Sequence, residues 1–267
     1  MGVLSSMLGR IRSRTLVQYR ADPEAVARLL PARFRPAVHR GHALIGVCHT
    51  RMDEPRGGWT PLAHLTMGTD LLTWRIPAVV ERSGRDGEAE RNAVWIPRRD
   101  TSSWFGANCT GRLTRGRWRL SRFELDESPG GVTLVVERDG ERELELRAEA
   151  CGELRGSVLH DLGEARHVLG AQGEARPTFA LAPGFDELDL DPEHWDVEAL
   201  EVREALARPF AELLPAGSFE IDCALRLTVT ASHRLPATAA ASAAARPEWS
   251  EVEPIARPGT ATLIPGV

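Results

Sequence analysis

The chain has 267 residues, a formal net charge of −5, 42% apolar residues and 27% charged residues. That balance is ordinary for a soluble globular chain with a sizeable core, and it gives no global argument for a nucleic-acid or membrane partner. All 33 basic residues are arginine. Without lysine no side-chain Schiff base can form, and a guanidinium, which stays protonated, cannot take the amine's place.

The residues Met1 to Arg14 carry three arginines and no long apolar run. They read as an N-terminal extension, neither a secretory leader nor a membrane span. The cysteines Cys48, Cys109, Cys151 and Cys223 are far apart and form no C-x-x-C pair. The reading is a reduced, cytoplasmic chain with buried thiols and no zinc knuckle.

Thr15 to Tyr19 is expected to be a strand. Asp22-Pro23-Glu24 then opens a short helix, with Asp as N-cap and Pro in the first turn, and Pro31 closes it. Ala43 to Cys48 reads as a buried strand and Arg51 to Pro61 as loop. Leu65 to Ile76 reads as a strand that Pro77 ends or bends. Ser83 to Arg91 is a hairpin turn, and Asn92 to Ile96 the strand that follows it.

Arg117 to Leu125 alternates, but its parity slips between Leu120 and Phe123, which suggests a bulge. Val132 to Glu137, a turn at Asp139-Gly140 and the alternation of Leu144, Leu146 and Ala148 with Glu143, Glu145, Arg147 and Glu149 predict an antiparallel meander with one wet face. Val158 to Leu169 is expected to be helical, His194 to Val202 a strand, and Ala205 to Leu214 a short helix interrupted at Pro209. Phe219, Ile221, Cys223, Leu225, Leu227 and Val229 recur at every second position, as on a long strand with one buried face. Residues 15–234 read as one domain, mainly β with short connecting helices (α+β). Residues 235–267, rich in Ala and Pro, read as a disordered tail.

No G-x-G-x-x-G, Walker A, H-E-x-x-H or G-x-S-x-G motif occurs, so no cofactor is implied. Eight histidines are scattered, and His42 and His49 would face opposite sides of one strand; whether His42, His49 and His64 converge is not legible. No metal site is assigned. Polar chemistry concentrates in Trp95-Ile96-Pro97-Arg98-Arg99-Asp100-Thr101-Ser102-Ser103-Trp104. Alternation sends Arg98 and Arg99 to opposite faces, and Arg98 shares parity with Ile96, so Arg98 is the guanidinium to turn inward and hold a carboxylate bidentately. The alternative is an ion-pair cluster with Asp100 at a strand end. Asp70 shares parity with Leu72, Trp74 and Ile76; a carboxylate on that apolar face needs a partner and is either a pocket acid or half of an ion pair. Asp70 and Asp100 are therefore the candidate acids and bases. Arg98, Arg99, Trp74, Trp95 and Trp104 are the candidate ligand contacts.

Leu16-Val17-Gln18-Tyr19-Arg20-Ala21-Asp22-Pro23-Glu24, Leu29-Leu30-Pro31 and His39-Arg40-Gly41-His42-Ala43-Leu44-Ile45-Gly46-Val47 resemble the opening of the YqjF-like family, a group of uncharacterised proteins in the acetoacetate decarboxylase-like superfamily. Gly217 to Cys223 is similar to a late strand of the same family. The resemblance implies a cone-shaped antiparallel β-barrel with a few short helices and an internal pocket. In acetoacetate decarboxylases a strand carries Pro-Lys-Lys, whose first lysine forms the Schiff base. Pro97-Arg98-Arg99 is similar in form, so the resemblance puts Arg98 where that amine would be. Three functions are compatible: a barrel binding a small carboxylate or keto acid without imine chemistry, a lysine-independent lyase, hydratase or isomerase on the same scaffold, and a non-catalytic structural or interaction protein. A small anionic ligand is the expected partner, and homo-oligomerisation is left open.

Overall fold

A computed structural model describes residues 10–32, 34–53, 69–82, 89–104, 107–108, 118–174 and 195–229. The loop after Asp53, His64, the tip of the hairpin at 83–88, Cys109 and the tail 235–267 lie outside the described residues. Twelve strands form one sheet. They are β1 (Arg10–Ala21), β2 (Phe34–Pro36), β3 (Val38–His39), β4 (His42–Asp53), β5 (Thr69–Arg82), β6 (Ala89–Thr101), β7 (Trp118–Leu120), β8 (Arg122–Ser128), β9 (Gly131–Arg138), β10 (Glu141–Cys151), β11 (Trp195–Ala207) and β12 (Phe219–Val229). The described helices are α1 (Pro23–Ala27), α2 (Leu162–Glu174) and α3 (Arg208–Leu213).

The hydrogen-bonded order is β7-β6-β5-β4-β1-β12-β11-β10-β9-β8, with β2 on β5 and β3 on β4. β7 runs parallel to β6 and the other pairs are antiparallel. The two ends of that order, β7 and β8, are consecutive in the chain, with Ser121 alone between them. The sheet therefore curls back on itself into a nearly closed barrel, which removes most of the exposed edge a long sheet would carry. The parity slip after Leu120 marks this junction, where the chain leaves one end of the sheet and enters the other.

Both faces of the sheet are used. The inner face packs Val17, Tyr19, Ile45, Val47, Leu72, Trp74, Ile76, Leu134, Leu144, Leu146 and Phe210 into one core. The outer face packs Leu16, Leu44, Cys48, Cys223, Leu225 and Leu227 against Leu159, Leu162 and Ala165, so the segment ahead of α2 and α2 itself cover the barrel wall. The periodic run of β12 thus does not make one buried face. Its pairing with β1 shifts between Gln18 and Tyr19; below the shift Phe219 and Ile221 pack inward, and above it Cys223, Leu225 and Leu227 pack outward.

Local chemistry explains most boundaries. Asp22 Oδ1 accepts the backbone N–H of Glu24, and Pro23 opens α1, as an N-cap aspartate and N1 proline should. Asp139 and Gly140 both have positive φ, 54° and 81°, which matches the twist of the β9–β10 hairpin. Pro209 sits in the first turn of α3, where its missing N–H costs nothing, so it starts that helix and does not interrupt it. α2 begins four residues later than the sequence reading, and β1 begins at Arg10, within the expected extension.

β5 and β6 both continue through proline. Their register shifts between Trp74 and Ile76, which pair with Arg98 and Trp95. One residue on β5 therefore faces two on β6, a bulge at Ile96-Pro97, where a strand tolerates a missing N–H. This bulge orients the stretch in which the sequence concentrates its polar chemistry.

Candidate functional site

The bulge puts Trp95 and Arg98, three residues apart, on the same inner face. Arg98 is directed inward as expected, but it shares that face with Trp95 and not through parity with Ile96, which is outside the core. Across the inner face a rung runs His49, Leu72, Asp100, Arg119 on β4, β5, β6 and β7, since each pairs with the next. Beside it runs the rung Val47, Trp74, Arg98.

Asp100 is fully buried. Its Oδ2 accepts Trp74 Nε1 at 2.7 Å and Arg98 Nε at 2.8 Å. Its Oδ1 accepts Arg98 Nη2 at 2.8 Å and Ser121 Oγ at 3.0 Å. The two-point contact with Arg98 is the fork geometry of guanidinium and carboxylate. Arg98 also lies over the Trp74 ring, 5.4 Å from its centroid, a favourable place for a desolvated cation. Its Nη1 donates to Glu143 Oε2 at 3.0 Å.

Glu143 is the residue that alternation misplaces. Its neighbours on β10 assign it to the wet face, yet it is 4% exposed. The β9–β10 register shifts between Arg142 and Leu144, and the bulged Glu143 turns in beside Leu144. Its Oε1 accepts from Arg138 Nε at 2.9 Å. Burial alone would raise the Glu143 pKa; hydrogen bonds from Arg138 and Arg98 outweigh it and hold the carboxyl below its ordinary value. Because β6 and β10 are not neighbours in the sheet, the Arg98–Glu143 bond ties across the interior.

Arg119 completes the cluster. It shares the rung of Asp100 on the parallel strand β7 and makes no hydrogen bond to a described residue. Burial lowers its pKa, Arg98 and Arg138 lower it further, and Asp100 and Glu143 only partly oppose them. Three guanidiniums, of Arg98, Arg119 and Arg138, thus meet two buried carboxylates. The further acid touching Arg138, Asp139, is 82% exposed at its side chain and faces solvent.

The remaining sequence candidates fall around this cluster. Asp70 lies on the inner face, and its Oδ1 is 2.9 Å from Nε2 of His49, which is 1% exposed and tilted against the Phe123 ring; the sequence marks Asp70 without its histidine, because the pairing depends on the β4–β5 register. Trp74 belongs to the cluster through Asp100. Trp95 packs on Phe34 and the apolar core. Arg99 points outward, over the Trp118 ring. Trp104 is 65% exposed, at the end of the stretch and outside the cluster. His42 and His49 lie on one strand at an odd spacing, as expected, and His64 is outside the described residues. Among the described residues no three His, Cys, Asp or Glu groups converge as a metal set would, and no helix is long and apolar enough to cross a membrane.

The fold and cluster define a class: a nearly closed β-barrel with a buried, arginine-rich ion network in its interior. The chain belongs to DUF2071, a family of uncharacterized conserved proteins, whose model matches residues 9–171; this is the YqjF-like family. Among solved structures it is similar to the enduracididine biosynthesis enzyme MppR complexed with pyruvate, at 12% identity over 81% of this chain and 84% of that one, with a TM-score of 0.48. It is also similar to acetoacetate decarboxylase from Legionella pneumophila subsp. pneumophila str. Philadelphia 1, at 11% identity over 83% and 84%, TM-score 0.46. A third is an acetoacetate decarboxylase-like enzyme from Sphingomonas wittichii RW1, at 12% identity over 83% and 91%, TM-score 0.45. No curated protein sequence matches the chain.

Proposed function

We propose that the barrel binds a small carboxylate or keto acid at the arginine cluster, without imine chemistry. The observation that carries this reading is the excess of guanidinium over buried carboxylate at Arg98, Arg119 and Arg138, because a partly buried guanidinium without a buried carboxylate of its own favours an anionic ligand. In this reading Arg98 and Asp100 form the floor, each satisfied by the other, and Arg119 is the group that meets the ligand. The chain has no lysine, so the bound acid is held by charge and hydrogen bonds alone.

The test is calorimetric titration of the chain with small carboxylates and 2- and 3-keto acids. Binding is expected in wild type and a loss of at least tenfold in Arg119→Gln, since a charge-assisted pair contributes roughly 1.5–3 kcal/mol. Absence of binding by every acid in wild type would sink the reading.

A second reading makes the same barrel an enzyme, favoured by the His49–Asp70 pair, whose histidine lies on the rung of Asp100 and Arg119. A carboxylate holding a buried imidazole is a unit suited to proton transfer. Its measurement is deuterium exchange into the carbon next to the keto group of an added keto acid. Exchange that His49→Asn does not slow rules this role out.

A further inference from the structure

The outer wall of the barrel encloses two thiols in opposite electrostatic settings. Cys48 on β4 and Cys223 on β12 belong to the same outer core, covered by Leu159, Leu162 and Ala165 of α2 and the segment ahead of it. Both are free. β1 lies between β4 and β12, so the two are about two strand spacings apart, beyond the reach of a disulfide.

Cys48 has cationic neighbours. Arg14 pairs with Thr50, Leu16 with Cys48, Cys48 with Thr73 and Gly46 with Arg75 across β1, β4 and β5. Arg14 and Arg75 are therefore diagonal neighbours of Cys48, within reach of long side chains, and both are 7% exposed. Thr50 Oγ1 lies 3.7 Å from Cys48 Sγ. Burial alone would raise the Cys48 pKa; the charges of Arg14 and Arg75, with hydrogen bonds from Thr50 and Arg14, outweigh it and hold the thiol below its ordinary value. The acidic group that acts on Arg75 is in turn Cys48. Cys223 is the contrast: burial pushes its thiol up, and the neighbouring Asp222 carboxylate adds to the rise.

Arg75 also has an N–H left to give. Its Nη1 is enclosed and makes no hydrogen bond among the described residues. A buried donor of this kind costs free energy until an acceptor arrives. An oxygen atom attached to Cys48 Sγ would be such an acceptor, one covalent bond from the sulfur whose charge Arg75 already feels.

We propose that Cys48 is an oxidation site of this protein, a thiol set between Arg75 and Arg14 that hydrogen peroxide converts to a sulfenic acid when the cover opens. The Cys48 thiolate attacks one peroxide oxygen. An S–O bond forms, the O–O bond breaks, and hydroxide leaves and takes a proton from water. The sulfur is oxidised by two electrons and the peroxide is reduced. Arg14 and Arg75 favour the thiolate that attacks, and Arg75 Nη1 donates to the oxygen it gains. Cys48 is 0% exposed, so the reaction waits on the cover. Asp222 holds that cover by accepting from Ser157 Oγ and the Val158 N–H, and Arg40 by donating to the Val158 carbonyl and to Glu164. A segment tied at its edge in this way opens at lower cost than the sheet beneath it.

The test treats the full chain with hydrogen peroxide in the presence of dimedone, which traps sulfenic acids, and maps the adduct to each cysteine by peptide mass. Adduct is expected at Cys48 and not at Cys223, although the two lie under one cover. Arg75→Leu should slow formation of the Cys48 adduct about tenfold or more, and Asp222→Ala, which loosens the cover, should speed it. The proposal is overturned by a Cys48 that stays unmodified, by equal adduct at Cys48 and Cys223 in wild type, by an Arg75→Leu rate equal to that of wild type, or by an Asp222→Ala rate no higher. Should Arg75→Leu fail to fold, the comparison of Cys48 with Cys223 within the wild-type chain decides.

Discussion

Arg98 is held by four hydrogen bonds to two carboxylates and by the face of Trp74. Removing it would leave Asp100 buried with Trp74 and Ser121 as its side-chain donors among the described residues. Arg98→Ala is therefore expected to lower unfolding stability by about 3–5 kcal/mol, the usual cost of stranding half of a buried pair, measured by urea denaturation. Arg98→Met together with Asp100→Asn should cost less than the two changes summed. Glu143 gives a pH signature. Its folded pKa lies below the unfolded value, about 4.3, so its contribution is complete above that value and is lost as pH falls through it. The stability gap between wild type and Glu143→Gln should accordingly be widest near neutrality and close in acid; a gap that stays constant into acid would contradict the pairing. The identities of Arg98 and Asp100 were legible in the sequence because charge stood between tryptophans. Glu143, Arg119 and His49 were not, since each depends on a bulge or a strand pairing that no local pattern records.

At the scale of elements, bulges set which face a residue uses. Alternation read Phe219 to Val229 as one face, but the shift beside Tyr19 divides it between lumen and outer wall. Ile96-Pro97 does the same on β6. By contrast, signals with a short-range mechanism were readable at once: the Asp22-Pro23 helix start, the Asp139-Gly140 turn, the β9–β10 meander. The strap before α2 is fixed to the wall by Asp222, which accepts from Ser157 Oγ at 2.6 Å and from the Val158 N–H at 2.9 Å, while Arg40 donates to the Val158 carbonyl. Asp222→Ala is expected to free this strap while the barrel persists. Hydrogen exchange at Leu159 and Ala165 should accelerate more than exchange at Leu134 or Leu146; equal acceleration at all four would mean that Asp222 supports the whole fold and not the strap.

For the whole molecule, closure is the event that makes the site. Only because the chain passes from β7 to β8 at Ser121 does Arg119 lie beside Asp100 and does Arg98 on β6 reach Glu143 on β10. The family and the barrel were legible in the opening segments; the closure appeared in the sequence as a slip of parity, which a bulge would explain equally well. Ser121→Val would remove a donor from Asp100 at the junction and is expected to cost about 1–3 kcal/mol, read from the urea midpoint. The central claim is that the surplus charge of this nearly closed barrel receives an anionic acid at Arg119. Isothermal titration of wild type and Arg119→Gln with small carboxylates and keto acids tests it most directly: saturable binding to wild type, weakened at least tenfold by the substitution with the fold intact, is the predicted result, and equal affinity in the two proteins would contradict it.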